Sequence, residues 1–162
     1  MFRIGLGQDS HRFGTEENKK LILGGVEILG EKGMEANSDG DVILHALCAA
    51  IEQSLGRTSF SVYADTLCAQ GIIDSLEYLK VAMEHLAEDG YVINNIGISV
   101  EGAHPKILPI EDQIKNHLVE ILDIEKSRIG INATTGEGLT VFGRGEGLQV
   151  FAIVSLTKNE KN

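Results

Sequence analysis

Ala36-Asn37-Ser38-Asp39-Gly40-Asp41-Val42-Ile43-Leu44-His45-Ala46-Leu47 places acceptors, a hydroxyl, a glycine turn and a histidine at one element boundary. Ser38 or Asp39 can cap a helix, because their side-chain oxygens satisfy backbone N–H groups that a first turn leaves unpaired. The apolar run from Val42 supplies the helix body, which is expected to reach about Leu55. His45 follows Asp41 by four residues, so the two share a helix face. The positive end of the helix dipole lies close by and favours anions. A metal and a phosphate can share such a place.

Working outward, the residues before this boundary read as strands. Phe2 to Gly7 alternates loosely and suits a first strand ending at Gln8-Asp9. Leu21-Ile22-Leu23 and Val26-Glu27-Ile28-Leu29 read as a hairpin around Gly24-Gly25, and Glu31 to Asn37 as a loop. Beyond the helix, Gly56 to Gly71 has weak periodicity and reads as a long, partly ordered loop, a length that usually marks a lid. Asp74-Ser75 opens a helix carrying Leu76, Leu79, Met83 and Leu86, closed by Gly90. Ile96, Ile98 and Val100 form a strand, and Pro109 sits in the first turn of a helix running to Leu122. Ile129-Gly130-Ile131 is a strand, and Leu148 to Leu156 is apolar enough for a central one. The expectation is an α+β fold: one domain over residues 1–162, a mixed β-sheet with helices packed on one side.

Composition excludes several classes of partner. The 162 residues carry a formal net charge of −10, which argues against nucleic acid or an anionic membrane surface. No apolar run approaches the roughly 20 residues of a membrane span. The start runs into polar Gln8-Asp9-Ser10 without the apolar core of a secretory leader, and two cysteines make no disulfide framework. A cytoplasmic protein is expected.

Four constellations carry chemistry. Asp9 and His11 are two apart, so on a strand they project from one face, and with His45 they make an Asp/His/His set suited to Zn²⁺ with one position open. By themselves, these residues read more economically as a surface turn and a satisfied core histidine. Cys48, one turn beyond His45, reads as a small buried hydrophobe. Thr134-Thr135-Gly136-Glu137-Gly138 offers hydroxyls and a carboxylate for phosphoryl oxygens and Mg²⁺, although a hydrophilic turn has the same composition. Gly143-Arg144-Gly145-Glu146-Gly147 places a bidentate cation among glycines, or is a mobile turn. Gly102-Ala103-His104-Pro105-Lys106-Ile107-Leu108-Pro109 could form a slot for a flat base, or simply connect a strand to a helix.

Taken in order, Gly5-x-Gly7-x-Asp9-x-His11, Ser38-Asp39-Gly40-Asp41 with His45, Ala103-x-Pro105-Lys106, and Ala133-Thr134-Thr135-x-Glu137 with Gly143 to Gly147 closely resemble the 2-C-methyl-D-erythritol 2,4-cyclodiphosphate synthase family. The resemblance covers essentially the whole chain. It implies an enzyme that converts 4-diphosphocytidyl-2-C-methyl-D-erythritol 2-phosphate to the cyclic diphosphate and CMP. It implies zinc, or another divalent cation, on Asp9, His11 and His45, and Mg²⁺ or Mn²⁺ on the substrate diphosphate near Glu137. Catalytic roles fall to Thr135 and Asn37. Substrate contacts fall to Asp9, Ser10, His11, Asn37 and Ser38, to Tyr63 and Asp65 of the lid, and to Thr134, Thr135, Gly136 and Glu137. The cytosine pocket matches Gly102, Ala103, Pro105, Lys106, Ile107 and Leu108. The resemblance also implies a homotrimer with active sites at subunit boundaries, so Val141, Arg144 and Glu146 would lie near a three-fold axis where relatives can hold an isoprenoid diphosphate.

The chain also departs from that pattern. Asn37 stands where the family commonly has a histidine; an amide can donate a hydrogen bond to phosphate but cannot transfer a proton. In the lid, Arg57 to Leu67, only Asp65-Thr66 match clearly, with Tyr63 in place of a phenylalanine, and Gln8 and Val141 replace commonly aromatic residues. Two other readings keep the fold: a metal-dependent nucleotide phosphohydrolase, and a non-catalytic trimer that binds isoprenoid diphosphate.

Overall fold

The computed structural model describes residues 1–159 of the 162-residue chain. In order it contains β1 (Phe2–Arg12), β2 (Lys20–Leu23), β3 (Val26–Lys32), α1 (Val42–Leu55), α2 (Ser61–Ala69), α3 (Ser75–Glu88), β4 (Tyr91–Glu101), α4 (Glu111–Leu122), β5 (Ile129–Thr134) and β6 (Gly147–Lys158). Four strands form a mixed sheet in the order β1-β6-β4-β5, in which β4 and β5 run parallel and the other pairs antiparallel. β2 and β3 make a separate hairpin, as their sequence predicts. Leu148, Val150, Ala152, Val154 and Leu156 of β6 are fully buried, and β6 is an interior strand, also as expected.

The packing of β1 against α1 positions everything that follows. Period-two alternation puts Gly5, Gly7, Asp9 and His11 on one face, opposite Val154, Ala152, Val150 and Leu148 of β6. α1 is buried almost all round and lies directly on that face. A Cβ at Gly5 would stand 2.0 Å from the Ala50 carbonyl oxygen, and one at Gly7 would stand 2.0 Å from that of Ala46. Only glycine admits the helix backbone here. Where the glycines stop, Asp9 and His11 continue along the same face and reach the turn of α1 that carries His45.

The start of α1 corrects one expectation. The N-cap is Asp41, not Ser38 or Asp39. Asp41 is fully buried, and its carboxylate accepts four backbone N–H groups, from Gly24 (2.9 Å), Gly25 (2.6 Å), Ile43 (3.1 Å) and Leu44 (3.0 Å). Burial raises its pKa to about 6, against the pull of the Gly25, Leu44 and Gly24 N–H groups, so it is ionised at neutral pH. It therefore caps the helix and ties the β2–β3 turn to it at once. The expected result for Asp41→Ala is a loss of roughly 3 to 7 kcal/mol in urea unfolding: about 1 for the cap, plus about 1 to 3 for each of the Gly24 and Gly25 N–H groups left without a partner. A loss below about 1 kcal/mol would mean that water replaces the carboxylate.

Several boundaries differ from the sequence reading: β3 runs to Lys32, into the expected loop, and β4 already starts at Tyr91. β1 runs on to Arg12, because β6 is equally long and its backbone groups need partners beyond Asp9. Gly56 to Gly71 contains the helix α2, which buries only Ala64 and so shows little periodicity. Pro109 lies just before α4 rather than in its first turn, since the N-cap is Ile110 and the helix starts at Glu111. The opposite face of the sheet is open: Leu6, Phe151 and Ile153 are exposed there, and with Ile98 and Ile131 they line a cavity of about 460 Å³.

Candidate active site

Asp9, His11 and His45 meet in space, with ligand atoms all within 4.8 Å of one another. Oδ2 of Asp9 is the centre: Nδ1 of His45 lies 2.9 Å from it and Nε2 of His11 lies 3.1 Å from it. The His11 contact is off the hydrogen-bond direction, and its buried Nε2 has no hydrogen-bond partner. A buried, unpartnered imidazole nitrogen aimed beside a carboxylate is what a metal ligand looks like without its ion. Two nitrogens and one oxygen fit a divalent metal and leave a coordination position for substrate.

The electrostatics agree. Burial alone would raise the Asp9 carboxyl, yet the close His11 and His45 rings outweigh it and hold the group well below the usual carboxylate range. Contact with Asp9 raises the His11 pKa, against burial. A proton thus competes with a metal for the same lone pairs, and metal affinity falls on acidification.

A cavity of about 270 Å³ opens on the cluster. Asn37 and Ser38 line one side, and α2 with its preceding turn lines the other through Phe60, Ser61, Ala64, Asp65 and Cys68. Phe60 packs its ring 5.4 Å from that of His45. Phe60 and Cys68 are lining residues that the sequence does not announce, because a stretch that reads as a loop has no defined inner face. Tyr63 turns away from the cavity: its hydroxyl is buried without a hydrogen-bond partner, and its ring lies 5.8 Å from His85. Burial raises its pKa, with Cys48 and Glu52 adding to the shift. Cys48 is fully buried and takes no part in the cluster, as expected.

The remaining candidates lie elsewhere on the same chain. Thr134 ends β5, Glu137 stands exposed on a short 3₁₀ turn with φ 52°, and Thr134 Oγ1 accepts the Gly136 N–H at 3.1 Å. Gly102 donates its N–H to the Thr134 carbonyl (3.0 Å) and Ala103 to that of Phe142 (3.1 Å), which joins the 102–108 and 134–147 segments. Pro105 and Ile107 are buried, while Lys106 and Leu108 are exposed. Arg144 reaches Glu146 at 3.4 Å, and Val141 and Glu146 share a cavity of about 530 Å³ with Ser10 and His11. Ser10, Gln149, Glu101 and Thr134 fall in one row across the sheet. β5 is therefore three strands from β1, on the order of 14 Å away at the strand spacing of a sheet. The 134–137 and 102–108 groups sit at the same end of the sheet as Asp9, but not against it.

The comparisons with known proteins fit this arrangement. The YgbB family matches residues 2–157. The 2-C-methyl-D-erythritol 2,4-cyclodiphosphate synthase of Chlamydia muridarum is 41% identical over 158 residues, which cover 96% of this chain and 88% of that protein. Among solved structures, IspF of Plasmodium falciparum in a CDP complex superposes with a TM-score of 0.86 at 30% identity, over 98% of this chain and 97% of its own. The bifunctional IspDF of Campylobacter jejuni superposes at 0.89 with 36% identity; this chain spans 42% of that longer one. A match that runs from the first strand to the last, through the glycine-backed strand that delivers Asp9 and His11, makes the chain a member of the YgbB family.

Proposed function

We propose that this chain is a 2-C-methyl-D-erythritol 2,4-cyclodiphosphate synthase: it cyclises 4-diphosphocytidyl-2-C-methyl-D-erythritol 2-phosphate and releases CMP, as a phosphorus–oxygen lyase. The observation that carries the reading is the Asp9–His11–His45 cluster under an open cavity, in a chain 41% identical over its length to a synthase of that name. A relative solved with CDP supports a cytidine nucleotide as the substrate class.

In this reading the 2-phosphate attacks the β-phosphorus of the diphosphate and CMP leaves with the bonding electrons. Phosphoryl transfer asks the protein mainly for positioning and charge neutralisation. Asp9, His11 and His45 would hold zinc or a similar divalent cation, and Glu137 would help to hold Mg²⁺ or Mn²⁺. Bound ions supply Lewis-acid polarisation of phosphoryl oxygens. Asn37 and Thr135 donate hydrogen bonds where negative charge grows. Ser10, Ser38, Thr134 and Gly136 help to seat the phosphates. Asp65 grips the erythritol, with Tyr63 in the lid beside it. Gly102, Ala103, Pro105, Lys106, Ile107 and Leu108 receive the cytosine end.

A homotrimer belongs to the same proposal. The cytosine and Glu137 segments lie two and three strands from Asp9 within one chain, so a complete site is most simply assembled from two neighbouring copies. The exposed apolar sheet face around Leu6, Phe151 and Ile153 supports burial between copies. Arg144, Glu146 and Val141 would then face a shared axis able to take an isoprenoid diphosphate. A cytoplasmic site of action completes the reading.

The test is to incubate the protein with 4-diphosphocytidyl-2-C-methyl-D-erythritol 2-phosphate, Zn²⁺ and Mg²⁺, and to follow the phosphorus by ³¹P NMR. Paired signals of a cyclic diphosphate, appearing with CMP, are expected. CMP with only linear phosphates would make the protein a hydrolase instead. No turnover by zinc-loaded protein would leave a binding protein.

A further inference from the structure

Asp39 stands beside the metal cluster without joining it. Its carboxylate grips the first residue of α3: Oδ2 accepts the Ser75 backbone N–H at 3.0 Å, and Oδ1 accepts the Ser75 hydroxyl in a short hydrogen bond. Oδ1 also accepts the Asp41 backbone N–H at 3.1 Å, and the Asp39 N–H donates to the Ile73 carbonyl at 2.9 Å. Ser75 is fully buried, and its Oγ lies 2.8 Å from Nε2 of His45.

The direction of each bond follows from a count of protons. A serine hydroxyl has one proton, and an ionised carboxylate can only accept. The Ser75 proton therefore goes to Asp39, and towards His45 the Ser75 oxygen can only accept. Nε2 of His45 must carry a proton. Ser38 Oγ, 3.4 Å from the same nitrogen and already accepting the Gly40 N–H at 3.1 Å, is a weaker second acceptor. A ring that donates from Nε2 offers a metal the lone pair of Nδ1. Nδ1 is the atom 2.9 Å from Asp9 Oδ2.

We propose that Asp39 and Ser75 are positioning residues that fix His45 in its Nε2–H tautomer and so present Nδ1 to a divalent metal. The inference rests on the metal reading of the Asp9–His11–His45 cluster given above. It explains why the Asp39 and Ser75 side chains are spent on each other behind His45, and it ties the start of α3 to the metal. A ring whose distal N–H is held by such a partner keeps its orientation and becomes a stronger ligand.

The experiment uses full-length protein with ¹⁵N-labelled histidine, loaded with Zn²⁺. Long-range ¹H–¹⁵N correlation reads which ring nitrogen of His45 bears the proton, and transfer of zinc to a chromophoric chelator gives the release rate. In the unsubstituted protein a slowly exchanging Nε2–H and a metal-bound Nδ1 are expected. Ser75→Ala, which keeps the backbone N–H bond to Asp39, should bring Nε2–H into fast exchange and weaken zinc binding about ten- to hundredfold. Asp39→Asn should move both readouts the same way, because an amide cannot accept on both of its atoms. Metal on Nε2, or zinc release from both variants at the parent rate, would overturn the relay while leaving the metal site standing. If the unsubstituted protein binds no zinc or other divalent ion, the metal reading itself fails and the relay falls with it.

Discussion

His45→Ala is expected to abolish metal binding and turnover together. His45 supplies one of the three ligand atoms gathered within 4.8 Å, and the two that remain, from Asp9 and His11, are too few to hold an ion against water. Charge stabilisation by a bound divalent ion is worth several kcal/mol, and each tenfold in rate is about 1.4 kcal/mol, so turnover should fall by roughly a thousandfold or more. The side chain is buried, and its removal also leaves the Ser75 oxygen without a donor, so some stability is lost as well. Equilibrium unfolding separates that loss from the functional one: the variant should still unfold cooperatively while zinc titration finds no tight site. Normal turnover by a variant with no side chain at this position would sink the proposed activity, because among the described residues only Asp9 and His11 would remain in the cluster.

The second large effect comes from a residue with no side chain. In Gly7→Val the new Cβ would stand 2.0 Å from the Ala46 carbonyl oxygen and 2.4 Å from the Ala50 nitrogen. Both are backbone atoms of a buried helix and cannot swing aside, so α1 must move bodily away from β1. Overpacking of ordinary side chains costs about 1 to 3 kcal/mol, and a collision with backbone should exceed about 3. His45 precedes Ala46 in the same helix, so the shift carries its Nδ1 away from Asp9. Zinc affinity and urea stability should therefore fall together. Gly130→Ala is the control: it also lies in a strand, and its added Cβ meets nothing nearer than 3.9 Å. Equal stability and zinc affinity in the two variants would refute the view that helix–strand contact sets the metal site.

Both effects rest on patterns that the amino-acid sequence displays directly. The alternation Gly5, Gly7, Asp9, His11 has the period of a strand, and period two alone assigns the four residues to one face. The hairpin, the helices starting near Val42 and Ser75 and the central strand from Leu148 are likewise legible, because long periodic segments reveal which face they bury. α2 is not. A helix that covers a cavity and buries only Ala64 has no apolar stripe to announce it, so nothing in the sequence marks Phe60 and Cys68 as lining residues. The end of β1 is harder to read for a related reason: Gln8 to Arg12 are polar and show no apolar face, and pairing with β6 opposite keeps them in the sheet.

The sequence by itself determined which residues share a strand face or a helix turn, because those relations repeat every two or 3.6 residues and need no knowledge of distant partners. It pointed to Ser38 or Asp39 as the cap of α1 and passed over Asp41, since all three side chains accept hydrogen bonds equally well. Tertiary structure made that choice. The β2–β3 turn brings the N–H groups of Gly24 and Gly25 to Asp41, α3 brings Ser75 to Asp39, and the three acceptors divide among the donors that each neighbour leaves unpaired. Tertiary structure also set the distance between the metal cluster and the Glu137 turn, because strand order, not sequence order, decides how far apart two strand ends lie.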